Sequence, residues 1–165
     1  MDKIFNESGY TFDFSESISA YVADRPTYHD LSAVDFVVET DNSFILIEVK
    51  NGDNKKATVK SQLEFHNELS SPAFPYQMGD KYKDVLLREW SKNKLFDKPI
   101  ICVLIFEFNS FAKTEKAKLK EKIFSRIPFT LNLEPFCNRE LIKEFKFLTV
   151  DEFRDDFPEF LISEE

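Results

Sequence analysis

Two neighbouring segments, Ala33 to Glu39 (AVDFVVE) and Ser43 to Lys50 (SFILIEVK), constrain this chain more than any other feature. Both are dense in Val, Ile and Phe, which suit a pleated, half-buried surface. Thr40-Asp41-Asn42 between them is a polar turn, so the pair predicts a β-hairpin. Each strand is apolar on both faces apart from a few carboxylates and one lysine, and such strands belong in the middle of a sheet covered on both sides. The rest of the chain supplies the cover. Ile100 to Glu107 reads as a third, fully buried strand, Phe129 to Leu133 as a fourth, and Phe147 to Val150 as a short one before a closing helix, Asp151 to Phe157. A first helix is expected over Phe12 to Val22, with Ile18, Tyr21 and Val22 on one face and Asp24-Arg25-Pro26 ending it. A second spans Ala57 to Leu69 after the Asn51–Asn54 turn, and Ser70 to Tyr76 is a Pro-containing loop. A third starts from an N-cap at Asp80 and runs to about Asn93, turning Tyr82, Val85, Leu86 and Trp90 inward. A fourth, lysine-rich helix covers Thr114 to Arg126, capped by Thr114. The order α-β-β-α-α-β-α-β-β-α predicts an α/β fold, a mixed central β-sheet flanked by helices, in one domain spanning residues 1–165.

Composition narrows the function classes. The longest apolar run, Pro99 to Phe106, is of strand length and far short of the roughly 18 residues of a membrane span. The start, MDKIFNESGY, has no apolar signal-peptide core, so the expectation is a cytoplasmic protein with no membrane association. Cys102 and Cys137 lack metal-ligand spacing, and Cys102 sits inside an apolar strand as a small buried thiol would. His29 and His66, the two histidines, lack paired spacing and read as surface or loop residues. The chain has no Gly-rich phosphate loop, which excludes a nucleotide-driven motor or kinase, and no Gly-x-Ser-x-Gly elbow. The net charge of −8 argues against a general nucleic-acid binder. The charge is unevenly spread, however. Residues 49–133 carry 16 basic and 10 acidic side chains, whereas 1–48 carry 2 and 10 and 134–165 carry 4 and 10. An acidic frame around a basic middle offers one positive face if the middle gathers on one side, and only solvated helix surfaces if it does not.

Within the hairpin, alternate residues share a face, so Glu48 and Lys50 point together. Asp35, near the start of one strand, meets them near the end of the other. Two carboxylates and an ammonium embedded in apolar β-structure are costly unless paired or metal-bound. A hard divalent cation resolves this for the carboxylates, because Mg²⁺ prefers oxygen ligands and keeps several waters. An ordinary same-face ion pair, with Asp35 bonding nearby amides, fits the same residues without any chemistry.

Val34-Asp35-Phe36-Val37-Val38-Glu39, the twelve residues between Asp35 and Glu48, and then Ile47-Glu48-Val49-Lys50 resemble the core of the PD-(D/E)xK nuclease superfamily. The resemblance covers roughly residues 12–107 and is closest to small bacterial members, in which a strand ending in Glu-x-Lys precedes a helix like Lys81 to Arg88. Val34 stands where the family's name has proline. The resemblance implies a restriction-endonuclease-like core and metal-dependent hydrolysis of nucleic acid, DNA before RNA, in bacterial defence, repair or a mobile element. It implies Mg²⁺ or Mn²⁺ held by Asp35, Glu48 and the Val49 carbonyl, with Lys50 assisting the nucleophilic water. Glu16 on the first helix is the added acidic candidate, with Glu7 and Asp13 as nearby competitors. Lys55, Lys56, Lys60, Lys81 and Arg88 are the expected nucleic-acid-binding rim, Lys81 standing where relatives contact phosphate or complete the site. A rival reading keeps the fold and gives up the chemistry, as an inactive module working through a protein partner. A third leaves the DNA-binding surface to another chain or a homodimer.

Overall fold

The computed structural model describes residues 3–24, 31–92 and 97–165. The chain opens with a tight hairpin, β1 (Ile4–Glu7) and β2 (Tyr10–Asp13). Its two turn residues, Ser8 and Gly9, both have positive φ (53° and 87°), the conformation a two-residue hairpin with native twist requires. There follow β3 (Ser19–Val22), β4 (Phe36–Glu39), β5 (Phe44–Asn51), α1 (Val59–Ser70), α2 (Phe74–Ser91), β6 (Ile100–Glu107) and α3 (Lys113–Phe124). The chain closes with β7 (Thr130–Leu133), β8 (Cys137–Glu140), β9 (Glu144–Leu148), α4 (Val150–Asp156) and β10 (Leu161–Glu164).

The centre is a mixed five-stranded sheet in the order β3-β4-β5-β6-β9. The β3-β4-β5 part is antiparallel; β5 pairs β6 in parallel over eight residues, from Phe44↔Ile100 to Asn51↔Glu107, and β6 pairs β9 in parallel. Apolar residues on both faces of β4, β5 and β6 divide into two cores, as strands buried on both sides must. Val37, Leu46 and Leu104 pack with Phe74, Tyr82 and Leu119 of the helices α1 to α3 side. Phe36, Ile47 and Val103 pack with Phe12, Phe153 and Phe160, beneath α4 and a three-stranded sheet of order β1-β2-β10. Among the described residues no helix is long and apolar enough to cross a membrane.

The hairpin expected around Thr40-Asp41-Asn42 is present, with Glu39↔Phe44 as its last pair. The helix expected over Phe12 to Val22 is not; that stretch forms the end of β2, a turn and β3. Phe12 and Phe14 lie two residues apart and are both fully buried in one core, a strand period. The Asp13 carboxylate then accepts the Ser15 backbone N–H at 2.9 Å, a side-chain-closed turn that ends the strand. Glu16 therefore sits in an exposed turn. The Arg25-Pro26 stop and His29 lie outside the described residues, as does Asn93.

α2 begins at Phe74 rather than at Asp80, because Pro75 occupies its first turn, where a missing N–H does no harm. Asp80 is an interior helix residue paired to Lys83 at 2.6 Å. Tyr82 and Val85 are buried as expected, but Trp90 is 66% exposed. α3 starts at Lys113 with Ala112 as N-cap, and Glu115 accepts the Ala112 N–H at 3.0 Å, so Thr114 is not the cap. β7 pairs only with β8 in a separate two-stranded ribbon. The four-residue strands β1, β8 and β10 fall where no strand is expected from the sequence.

The turn after β5 is tightly fitted. The Gly52 N–H donates to Glu107 O at 2.7 Å, and a Cβ there would stand 2.4 Å from the Phe108 ring and 2.7 Å from that of Phe65. Gly52→Ala is expected to destabilise the fold by about 1–3 kcal/mol, the usual effect of forcing a group into a filled space. Urea unfolding measures it, and an unchanged midpoint would mean the two rings move aside freely.

Candidate functional site

Asp35 immediately precedes β4, and the β4–β5 register, continued by one residue from Phe36↔Ile47, sets it opposite Glu48. Its backbone carbonyl accepts the Ala23 N–H at 2.8 Å, and its carboxylate Oδ2 accepts the Val49 N–H at 2.7 Å. Both ends of the residue are thus tied to neighbouring strands. Val49 therefore enters the arrangement through its N–H. Glu48, near the end of β5, is 1% exposed and Asp35 is 9% exposed.

Lys50 follows two residues later on the same face of β5, with its Nζ 3.1 Å from Glu48 Oε1. A second ammonium reaches the same oxygen from across the helix layer: Lys81 Nζ of α2 donates to Glu48 Oε1 at 2.7 Å. The next residue, Tyr82, fixes that turn of α2 to the sheet, its buried hydroxyl donating to Val103 O at 2.9 Å. Glu48 Oε1 therefore carries two ammoniums, while Glu48 Oε2 is buried with no hydrogen-bond partner among the described residues. A buried carboxylate oxygen without a partner is uncommon and expensive.

Burial, and then the charge of Glu48, push the Asp35 carboxyl up to about 7 from its ordinary value. The Val49 N–H opposes that shift, Glu7 adds to it, and Lys81 works against it. Burial acts to lower the Lys50 ammonium, but Glu48, Asp35 and Glu68 outweigh it and hold the group above its ordinary value. Lys50 is thus a fixed positive charge at neutral pH.

The sequence-derived candidates divide. Asp35, Glu48 and Lys50 come together, and Lys81 joins them as a partner of Glu48. Glu16 is exposed in the β2–β3 turn. The acidic groups whose fields reach the site are instead Glu7 on Asp35 and Glu68 on Lys50. Glu7 is the residue before the Ser8-Gly9 turn, which lies against the end of β5 through the Asn51 Nδ2 bond to Ser8 O at 2.8 Å. Its signal was the tight turn, visible as a Ser-Gly pair, but its reach to β5 is tertiary.

Among the expected rim residues, Lys55 pairs with Glu164 at 2.8 Å and, with Lys56, lines a cavity of about 460 Å³ that also touches Asn51, Glu107 and Arg154. Asn51 alternates with Lys50 along β5, so this cavity opens on the other face of the same sheet end. Lys60 is exposed on α1, 3.7 Å from Glu64. Arg88 is 5% exposed and turned inward, its guanidinium donating to Ala23 O at 2.7 Å. The basic candidates do not form one rim. His66 lies on α1, its ring 5.2 Å from that of Phe111 and its Nε2 3.7 Å from Glu115, away from these groups.

Among the described residues no group of three or more His, Cys, Asp and Glu side chains is placed to hold a metal ion. The two carboxylates that could hold a cation at this sheet end are Asp35 and Glu48. That pair suits Mg²⁺ or Mn²⁺, which bind through one or two carboxylates and complete their shells with water and substrate oxygens. The unpartnered Glu48 Oε2 fits such a ligand. The chain matches no protein-family model, and neither a curated protein nor a solved structure matches it.

Proposed function

We propose that this chain is a metal-dependent nuclease that hydrolyses phosphodiester bonds of nucleic acid, with DNA as substrate and Mg²⁺ or Mn²⁺ as cofactor. The observation that carries the reading is the buried Glu48 Oε2, unpartnered among the described residues, on a residue set opposite Asp35 in the strand register, with a permanently charged Lys50 at the same carboxylate. When bound, the cation supplies an activated water and stabilises charge on a phosphate oxygen. Asp35 and Glu48 would hold it, and Asp35, whose carboxyl burial pushes up to about 7, would give up its proton on doing so. Lys50 keeps its proton at Nζ, so it serves as a donor to developing negative charge rather than as a general base.

The test is a cleavage assay with Mg²⁺ or Mn²⁺ on single-stranded, double-stranded and branched DNA and on RNA. Lys50→Ala is expected to lower turnover by about 10²–10³ while leaving Mn²⁺ binding largely intact, as loss of one preorganised donor does. No cleavage of any substrate, together with a thermal melt indifferent to millimolar Mg²⁺ and Mn²⁺, would sink the enzyme reading.

One observation favours a second reading, a catalytically silent domain that works through a protein partner. Lys81 and Lys50 already bring two positive charges to Glu48, and Arg88 is buried instead of lining a phosphate path. With the net charge of −8, that arrangement suits a protein-binding module.

A further inference from the structure

We infer that Lys81 is a built-in counter-ion of the acidic pair, a side chain that competes with the divalent cation and is handed to a substrate phosphate when the cation binds. The inference rests on the reading of Asp35 and Glu48 as cation ligands and adds to it how occupancy is regulated. Lys81 makes the shorter of the two contacts to Glu48 Oε1, 2.7 Å against 3.1 Å for Lys50. Its contact is with Glu48 Oε1, and its charge also favours the ionised form of Asp35 on the neighbouring strand, less than the Val49 N–H does.

The two lysines differ in what they can do next. Lys50 sits on β5 two residues from Glu48, held in the field of Glu48, Asp35 and Glu68. Lys81 comes from another element, at the end of a flexible four-carbon stem; its exposure, 19% against 23% for Lys50, does not set it apart, but its origin on α2 rather than on the strand that carries Glu48 does. The backbone beneath it stays put, because Tyr82 is buried and bonded to Val103 O. The ammonium can therefore leave Glu48 without disturbing α2.

A cation held through Asp35 and Glu48 Oε2 shares a carboxylate with the Lys81 ammonium on Oε1, and like charges on one carboxylate repel. Departure of Lys81 removes the repulsion but exposes an ammonium that needs a new anionic partner. A phosphodiester is the anion the site exists to receive on this reading. Cation and nucleic acid then favour each other's binding, and linkage makes the effect reciprocal.

Isothermal titration with Mn²⁺ tests this on the full chain, alone and with a phosphorothioate DNA oligonucleotide that resists cleavage. Lys81→Met is expected to tighten Mn²⁺ binding by about tenfold, within the usual range of coupling between sites. In the wild type the oligonucleotide should tighten Mn²⁺ binding by a similar factor, and the variant should lose that enhancement. Lys81→Gln, which keeps a donor for Glu48 Oε1 without the charge, should behave as Lys81→Met does if the latter folds poorly. Weaker or unchanged Mn²⁺ binding in both variants, with wild-type cleavage intact, overturns the counter-ion role and leaves the nuclease reading standing. No Mn²⁺ binding in wild type and variants alike overturns both.

Discussion

Glu48→Ala is expected to destabilise the fold by about 3–5 kcal/mol, the effect typical of removing one partner from a buried ion group, and to abolish Mn²⁺ binding. Glu48 Oε1 contacts both Lys50 and Lys81, and Glu48 is itself 1% exposed. Without it, two ammoniums with 23% and 19% of their side chains exposed confront each other near the protein interior. The Asp35 carboxylate remains, but one of its two oxygens, Oδ2, is committed to the Val49 N–H. Glu48→Gln should be milder, because the amide oxygen still accepts two donors, and it should also lose Mn²⁺. Pairing Glu48→Leu with Lys81→Met should recover much of the stability, since apolar replacement of a buried pair is often neutral. Urea unfolding followed by circular dichroism measures all of these; Trp90, being largely exposed, is a poor fluorescent reporter. If Glu48→Ala unfolds within 1 kcal/mol of wild type, the carboxylate is not what holds the two lysines in place.

The parts of the site that could be read from the sequence are those governed by strand alternation and a short turn. Asp35, Glu48 and Lys50 lie within one hairpin, where a period of two and a polar turn determine which side chains meet. Strand β6 was legible for the same reason, as an uninterrupted apolar run. The failures come from contacts that no local pattern encodes. Residues 12–22 contain apolar residues that fit either a helix or two short strands, and Phe12 and Phe14 are settled as strand by a core whose other members, Phe153 and Phe160, are distant in sequence. Glu16 followed the wrong helix. Lys81 was legible as a helix lysine, but its contact with Glu48 depends on how α2 crosses β5, 33 residues earlier in the chain. Arg88 carries the same kind of charge two turns on and ends buried against Ala23, because that turn of α2 faces the backbone after β3. Charge counting cannot separate those two residues; only packing does.

Asp35→Asn is expected to stabilise the metal-free protein at pH 8 and to leave it nearly unchanged at pH 4. The folded-state carboxyl titrates near 7 against an ordinary value of 3.8, chiefly because it is buried and then because Glu48 faces it. Below the ordinary value both the folded and unfolded states carry the proton, and Asp35 contributes no difference. Between that value and about 7 the unfolded chain releases the proton while the folded chain keeps it, so the folded state binds more protons and stability falls as pH rises. Above 7 both states are ionised and the full penalty applies, on the order of 4 kcal/mol at 1.36 kcal/mol per unit. Asn carries no proton to lose and should abolish this slope. Glu89 and Asp13, held low by their hydrogen bonds, are common to both proteins and cancel in the difference. The measurement is the urea midpoint of wild type and Asp35→Asn from pH 4 to 8, with and without Mn²⁺. The two curves should diverge as pH rises without metal. Added Mn²⁺ should close the gap by stabilising wild type alone, because a ligand that binds only the folded state adds its binding energy to stability. Parallel curves across the whole range would show that Asp35 is not strained by its burial beside Glu48, and with that the principal electrostatic reason for a cation between them would be gone.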